Sequence, residues 1–198
     1  MGSFEVSPEQ AVASALRIIK EGRAHGVKLE GDSALVPAIR RLTQAGIPVV
    51  GHVGLTPQRR HLLGGFKVQG KSADSALRLL HDAIAMQNAG AFMVVLEAIP
   101  AEVASIITQR LRVPTIGIGA GNGCSGQVLV QADMTGNFEP GQRMPKFVKQ
   151  YADLWREVEG GITRFRDEVK NGLFPSQDFT YPIAQEELAE FKRAVREA

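Results

Sequence analysis

Ionisable side chains follow three apolar stretches of this sequence, and their types can bind a ligand or exchange a proton. Lys28 and Glu30 alternate with apolar residues in "HGVKLEGD", His52 follows "PVVG", and Glu97 follows "MVVL". A carboxylate at the end of an apolar strand carries a desolvation cost unless it is paired, metal-bound or protonated. Glu97 is therefore the candidate whose position most favours a chemical role.

Each candidate also has a structural interpretation. Lys28 and Glu30 could form an ion pair, because alternate residues of a strand share one face. His52 could be a hydrogen-bonded histidine of the core. The glycines of "GIGAG" resemble a phosphate-binding loop, but they lack the GxGxxG spacing and the ribose-binding acid of a dinucleotide site. The residues alone leave these alternatives open.

The segments that position these residues alternate between strand and helix patterns. Strands are predicted at "VKLEG", "IPVVGHVGL", "AFMVVLEAIP", "VPTIGIGAG" and "GQVLVQADM". The first helix should be capped by Ser7, with Pro8 at its first position and Gln10 closing a capping box. Further helices are predicted at "SALVPAIRRLTQAG" with Pro37 in the first turn, Ser72 to Asn88, "AEVASIITQRL", Phe147 to Val158, Ile162 to Val169 and Glu186 to Arg196.

Strands separated by helices predict a parallel α/β sheet. The ionisable residues and the "GIGAG" glycines then lie at or near the carboxyl ends of successive strands, which is the edge where such folds bind ligands. The stretch "GLTPQRRHLLGGFKVQGKS" holds four glycines and no clear periodicity. A loop of that length in a compact domain favours a functional role.

Composition narrows the class of protein. The chain has 198 residues and a formal net charge of +2, which predicts one domain over residues 1–198. No basic run points to nucleic acid or an anionic membrane, and no apolar run approaches the ~20 residues that span a bilayer. The N-terminus "MGSFEVSPEQ" is unlike a secretory signal, and Cys124 is the only cysteine, which suits a reducing compartment.

Seven motifs in order carry a family resemblance. They are "VKLEG", "GIPVVGHVGLTPQ", "LGGFKVQGK", "AGAFMVVLE", "PTIGIGAG", "GQVLV" and "PKFVKQY". Together they resemble the ketopantoate hydroxymethyltransferase family, from the first residues to about Tyr181. The resemblance implies a (β/α)8 TIM barrel that transfers a one-carbon unit from 5,10-methylenetetrahydrofolate to 3-methyl-2-oxobutanoate, a step toward pantothenate, with Mg2+ as cofactor.

The resemblance also assigns roles to residues. It implies that Glu30 lies beside the metal, that Lys28 contacts the oxo-acid substrate, that Glu97 is the acid/base and that His52 positions the substrate. It further implies a homo-oligomer acting on a 2-oxo acid and a folate, in the cytoplasm or the mitochondrial matrix, with no nucleic-acid or membrane partner.

The sequence departs from the family pattern at its start. Family members carry about three more strands before this point, with a "GDS" motif and a later aspartate that bind the metal, whereas this chain begins at "MGSF". The "GDS" at Gly31 to Ser33 follows a different strand, where relatives often carry "EGG". We therefore expect an incomplete barrel containing the last five strands, ending at Glu30, His52, Glu97, Gly119 and near Val130.

Two alternatives stay open beside the hydroxymethyltransferase. One is a metal-dependent, enolate-forming lyase of the phosphoenolpyruvate mutase type, although its cysteine-containing lid motif is not found. The other is a truncated, non-catalytic paralogue. If strands are missing, the unpaired sheet edges should cause association, and the chain alone should show no hydroxymethyl transfer. Ser125 stands where the family usually has aspartate.

Overall fold

The computed structural model describes residues 2–62 and 64–197, and its strands form one parallel sheet. The strands are β1 (Val27–Glu30), β2 (Val49–Gly54), β3 (Met93–Glu97), β4 (Thr115–Ile118) and β5 (Gly126–Gln127). They pair in sequence order, so β1 and β5 are the two edges and the sheet is open. The predicted fold class, an incomplete α/β barrel of five strands, is confirmed.

Helices connect the strands and follow them. They are α1 (Pro8–Lys20), α2 (Val36–Gln44), α3 (Ala73–Asn88), α4 (Ala101–Arg110), α5 (Gln131–Thr135), α6 (Leu154–Lys170) and α7 (Gln185–Glu197). Short 3-10 turns occupy Ser33–Leu35, Pro57–Arg59 and Gln177–Phe179. In the part of the chain that the structure describes, no helix is long and apolar enough to cross a membrane.

The predicted helix starts follow capping chemistry. Ser7 and Ser72 cap α1 and α3 through their hydroxyl groups, and Pro37 lies in the first turn of α2 as expected. The capping box at α1 is wrong in one detail, because Gln10 accepts the N–H of Val6 (3.2 Å) rather than that of Ser7.

The core lies between one face of the sheet and the helices. Alternate strand residues on that face are buried, among them Leu29, Val49, Val53, Val94 and Leu96. They belong to one hydrophobic cluster with Ile39 and Leu42 of α2, Met86 of α3 and Ile107 of α4. The opposite face therefore carries the other set of alternate residues, including Lys28, Glu30, His52 and Glu97.

Two predicted elements have different bounds in the structure. The expected strand end near Val130 is wrong, because β5 pairs at Gly126 and Gln127 and α5 begins at Gln131. Predicted helices at Phe147 to Val158 and Ile162 to Val169 are one helix, α6. It begins at Leu154 because Asp153 caps it, and its 17 residues tolerate the glycine pair at 160 and 161, each of which costs about 1 kcal/mol.

The contact pattern divides the chain into two compact units. One comprises Met1–Asp133 with Arg143–Lys149, and the other comprises Met134–Gln142 with Gln150–Ala198. The sheet and α1 to α4 belong to the first unit. The second contains α6 and α7, and Phe174 stacks there against Phe165 and Phe179, with ring centroids 5.5 and 5.4 Å apart. The interpretation of residues 1–198 as a single domain stays a prediction.

Candidate functional site

Three of the candidate side chains meet at the carboxyl end of the sheet. Glu30 and His52 are register partners on β1 and β2, and Glu97 ends β3 opposite Gly54. The Nε2 atom of His52 lies 3.3 Å from Oε2 of Glu97, and its Nδ1 atom lies 3.9 Å from Oε2 of Glu30. The alternation of strand residues therefore brings two carboxyl groups to the two sides of one imidazole.

His52 is neutral despite these two carboxyl neighbours. Its Nε2 lies 2.8 Å from the carbonyl oxygen of Leu55; since a carbonyl only accepts, Nε2 carries the proton and donates it. The pKa of His52 is lowered to about 4, chiefly by burial and also by the positive charge of Lys28, while the Leu55 hydrogen bond acts in the opposite direction. The short distances to Glu30 and Glu97 are therefore not ion pairs at neutral pH.

The neutral tautomer leaves one buried atom unsatisfied. Nδ1 of His52 is a lone-pair acceptor and has no hydrogen-bond partner within residues 2–62 and 64–197. A separation of 3.9 Å from Glu30 Oε2 exceeds a hydrogen bond. An unsatisfied acceptor beside a carboxylate oxygen can accept from a donor that enters the site, such as water or a substrate hydroxyl.

Glu97 has the electrostatic character expected of an acid/base. Burial raises the pKa of its carboxyl group to about 7, with the Lys28 charge lowering it and the Glu30 charge raising it. Its side chain keeps 14% of its exposure, so a substrate can reach it. A carboxyl group that titrates near neutral pH can both take and return a proton.

The backbone around Glu97 is held in a constrained conformation. Ala98 adopts a left-handed φ of 49°, which costs a non-glycine residue on the order of 1–2 kcal/mol. Its N–H donates to the carbonyl of Ile118 and its carbonyl accepts the N–H of Gln69, both at 2.9 Å. These two bonds fix the direction in which the Glu97 side chain leaves β3.

A glycine allows β2 to approach Glu97 closely. Gly54 has a φ of +100°, and a Cβ atom there would collide with the Glu97 carbonyl oxygen. The next residue, Leu55, donates its N–H to that carbonyl (2.8 Å) while its own carbonyl accepts from His52. The peptide groups of Leu55 thus connect His52 to Glu97.

Glu30 is held by a backbone donor. The side chain is buried with 7% exposure, and its Oε1 accepts the N–H of Gln58 at 2.7 Å. Within the described residues no group of three histidine, cysteine, aspartate or glutamate side chains could hold a metal ion. Among the described residues, Glu30 therefore has no further side chains of these types grouped around it that would complete a metal site.

Lys28 lies on the same face of β1 as Glu30 and is exposed. Its charge affects both His52 and Glu97, which places it within electrostatic reach of the cluster. The glycines of "GIGAG" have packing roles instead: a Cβ at Gly119 would meet Phe147 and one at Gly121 would meet Ala101. No phosphate-binding role is supported there.

Ser125 makes a structural contact. Its hydroxyl accepts the N–H of Thr115 (3.1 Å), and its own N–H donates to the Thr115 hydroxyl (3.2 Å). Ser125 therefore fastens the segment before β5 to the start of β4.

Sequence comparison assigns the family. The model of the ketopantoate hydroxymethyltransferase family matches residues 1–177, which include every strand and all of the candidate site residues. The chain belongs to the ketopantoate hydroxymethyltransferase family.

Curated relatives of this family member share one name. The chain is 67% identical over 197 residues to the 3-methyl-2-oxobutanoate hydroxymethyltransferase of Emericella nidulans, covering 100% of this chain and 56% of that protein. It is 51% identical over 179 residues to the enzyme of the same name from Syntrophus aciditrophicus, covering 90% of this chain and 65% of that protein. The chain thus spans between about half and two thirds of the length of these relatives.

Sequence reasoning missed the backbone groups that hold the site. The Leu55 carbonyl accepts from the His52 side chain, the Gln58 N–H donates to the Glu30 side chain, and the Leu55 N–H donates to the main-chain carbonyl of Glu97. A main-chain donor has no residue signature, so only the position of these residues in the glycine-rich stretch after β2 pointed to them. That stretch includes Leu63, which lies outside the described residues.

Proposed function

We propose that the protein transfers a hydroxymethyl group from 5,10-methylenetetrahydrofolate to 3-methyl-2-oxobutanoate, giving 2-dehydropantoate. The names of the curated relatives support the reaction. In atom balance, the methylene carbon forms a new bond to the carbon next to the keto group, that carbon loses its proton, and water supplies the hydroxyl oxygen. Tetrahydrofolate leaves.

Glu97 takes the proton from the carbon next to the keto group. A base for this step must be unprotonated part of the time at neutral pH and basic enough to accept a proton, which a pKa of about 7 satisfies. Removal of the proton leaves an enolate oxygen, and Lys28 supplies positive charge to bind it. Neutral His52 offers Nδ1 as an acceptor that positions a substrate or water hydroxyl.

Mg2+ is proposed as the cofactor of the whole protein. Hard cations of this kind prefer oxygen ligands and stabilise enolates. Glu30 is proposed to contribute one of those oxygens, because its Oε1 atom accepts the Gln58 N–H, whereas no backbone N–H of the described residues donates to its Oε2 atom. No step of the reaction above depends on the ion, since the described residues do not complete its site.

The meeting of Glu30, His52 and Glu97 at one edge of the sheet, in a chain of this family, is the observation that carries this proposal. The test uses the chain itself and a hybrid in which the portion of the Emericella nidulans relative outside the aligned region is joined to it. Formation of 2-dehydropantoate from both substrates with added Mg2+ supports the proposal. A folded hybrid that binds 3-methyl-2-oxobutanoate but forms no product contradicts it.

A homo-oligomer is proposed for the protein in solution. The outer edges of β1 and β5 are unpaired in the described sheet, and such edges favour association with another chain. A cytoplasmic or mitochondrial-matrix location is proposed because Cys124, as the single cysteine, has no partner for an internal disulfide. Light scattering after gel filtration and cell fractionation test the two statements.

A further inference from the structure

A short turn after β2 holds the Glu30 carboxylate. The turn, Pro57–Arg59, is a single 3-10 turn closed by the bond from the Arg59 N–H to the Thr56 carbonyl (2.9 Å). From this turn the Gln58 N–H donates to Glu30 Oε1 at 2.7 Å. A charge-assisted bond of this length is among the stronger hydrogen bonds in a protein, so the turn determines where the carboxylate points.

One ion pair connects that turn to the end of β1. Nη1 of Arg59 lies 2.9 Å from Oδ2 of Asp32, and Asp32 is two residues after Glu30. The other oxygen of Asp32, Oδ1, accepts the N–H of Ala34 (3.0 Å) and caps the turn Ser33–Leu35. The guanidinium of Arg59 also packs against Gly31, where a Cβ would lie 3.4 Å from Nη1.

These contacts form a closed loop of interactions. Glu30, Gly31 and Asp32 follow one another along the chain, Asp32 binds Arg59, and Gln58 next to Arg59 binds Glu30. Within this loop the Glu30 side chain is buried, with 7% exposure. The side chains of Asp32 and Arg59 are 44% and 31% exposed. A partly exposed pair adds little to global stability, so its effect should be local.

We infer that Asp32 and Arg59 are positioning residues that hold the Pro57–Arg59 turn against β1 and thereby fix the Glu30 carboxylate through the Gln58 N–H. The inference rests on the proposed function only for the role of Glu30 as a proposed Mg2+ ligand. The positioning itself is a property of this chain and can be measured without turnover.

The test is residue-resolved hydrogen–deuterium exchange of the Gln58 amide by mass spectrometry, which does not require a monomer. Asp32→Asn removes the charge but keeps a good cap for Ala34, and Arg59→Gln removes the guanidinium. Each single variant should increase the Gln58 exchange rate about two- to fivefold, as expected from the loss of one partly exposed ion pair. The double variant should add nothing further, because one interaction is lost only once.

Two further variants separate positioning from general loosening of the turn. In a Glu30→Ala background the acceptor is gone, so Asp32→Asn and Arg59→Gln should no longer change the Gln58 exchange rate. Arg17→Gln, which breaks the exposed Arg17–Glu21 pair (3.2 Å) on α1, should leave Gln58 unchanged. Unchanged exchange in both single variants, or an equal increase in the Glu30→Ala background, overturns the inference.

The outcomes distinguish this inference from the proposed function. A Gln58 response without product formation by the hybrid leaves the positioning intact and contradicts the reaction. Product formation by the hybrid without a Gln58 response supports the reaction and overturns the positioning.

Discussion

His52 and Glu97 lie 3.3 Å apart through Nε2 and Oε2, yet burial moves the pKa of each away from the values of an ion pair. The histidine pKa is lowered to about 4 and the carboxyl pKa is raised to about 7. At neutral pH the imidazole is uncharged and the carboxyl group carries its proton about half the time. The pair is therefore suited to proton exchange rather than to structural charge pairing.

Glu97→Gln in the hybrid should lower kcat about a hundredfold to ten-thousandfold, the usual contribution of a general acid or base. The amide has nearly the same shape, so the KM for 3-methyl-2-oxobutanoate should change little. Glu102→Gln is the matched control, since Glu102 is an exposed residue of the first turn of α4. Near-normal kcat in Glu97→Gln would show that another group removes the proton.

The pH dependence of the free energy of unfolding should show the shifted pKa values of Glu97 and His52 separately. The pKa of Glu97 is higher in the folded protein than its unfolded value of 4.5. Its contribution to the free energy of unfolding is therefore complete below pH 4.5 and is lost as the pH rises to about 7. His52 has a folded pKa below its unfolded value of 6.5, so its contribution is lost as the pH falls from 6.5 to about 4. The two slopes oppose one another, each at most about 1.4 kcal/mol per pH unit.

Chemical denaturation followed by circular dichroism between pH 4.5 and 6.5 measures these slopes. Relative to wild type, Glu97→Gln should show a free energy of unfolding that increases with pH, and His52→Gln one that decreases with pH. Equal pH dependence in all three proteins would mean that neither group is shifted by the fold.

Gly54→Ala should destabilise the protein by about 3 kcal/mol, from backbone strain at positive φ together with the collision with Glu97 and Ile99. Gly46→Ala is the control, because Gly46 also has a positive φ (+79°) but has open space around its Cβ position. It should cost only about 1 kcal/mol. Equal losses in denaturant titrations would contradict the close approach of β2 to Glu97.

Glu30→Gln should increase the Mg2+ concentration needed for half-maximal activity of the hybrid, because an amide oxygen is a weaker ligand than a carboxylate. The folded structure should persist, since an amide oxygen can still accept from Gln58. Mg2+ titration of the initial rate is the measurement, with Glu102→Gln again as control. An unchanged Mg2+ requirement would remove Glu30 from the metal site.

The sequence predicted the sheet and the meeting of the site residues because both follow from periodicity. Alternation placed Lys28 and Glu30 on one face, and the parallel arrangement brought Glu97 to the same edge as His52. The length of β5 was not predictable from "GQVLVQADM", because an apolar run does not show how many of its residues find a partner strand. The start of α6 was also missed, since Asp153 acts as its cap only through local geometry.

The protonation states of the site could not be obtained from the sequence at all. They depend on how deeply His52 and Glu97 are buried, on the charge of Lys28 near both, and on the charge of Glu30 near Glu97. The same holds for the bonds from Leu55 and Gln58, which belong to the main chain. Residue types predicted which groups could do chemistry, and only the fold determined which of them are charged.

The most direct test of this account is a carbon-13 NMR titration of the Glu97 carboxyl carbon, assigned by comparison with Glu97→Gln. We predict a midpoint near 7, an upward shift of that midpoint in Lys28→Gln because the lysine charge is lost, and a downward shift in Glu30→Gln because the neighbouring carboxylate is lost. A midpoint near the ordinary 4.5, unmoved by either substitution, would contradict the assignment of Glu97 as the acid/base.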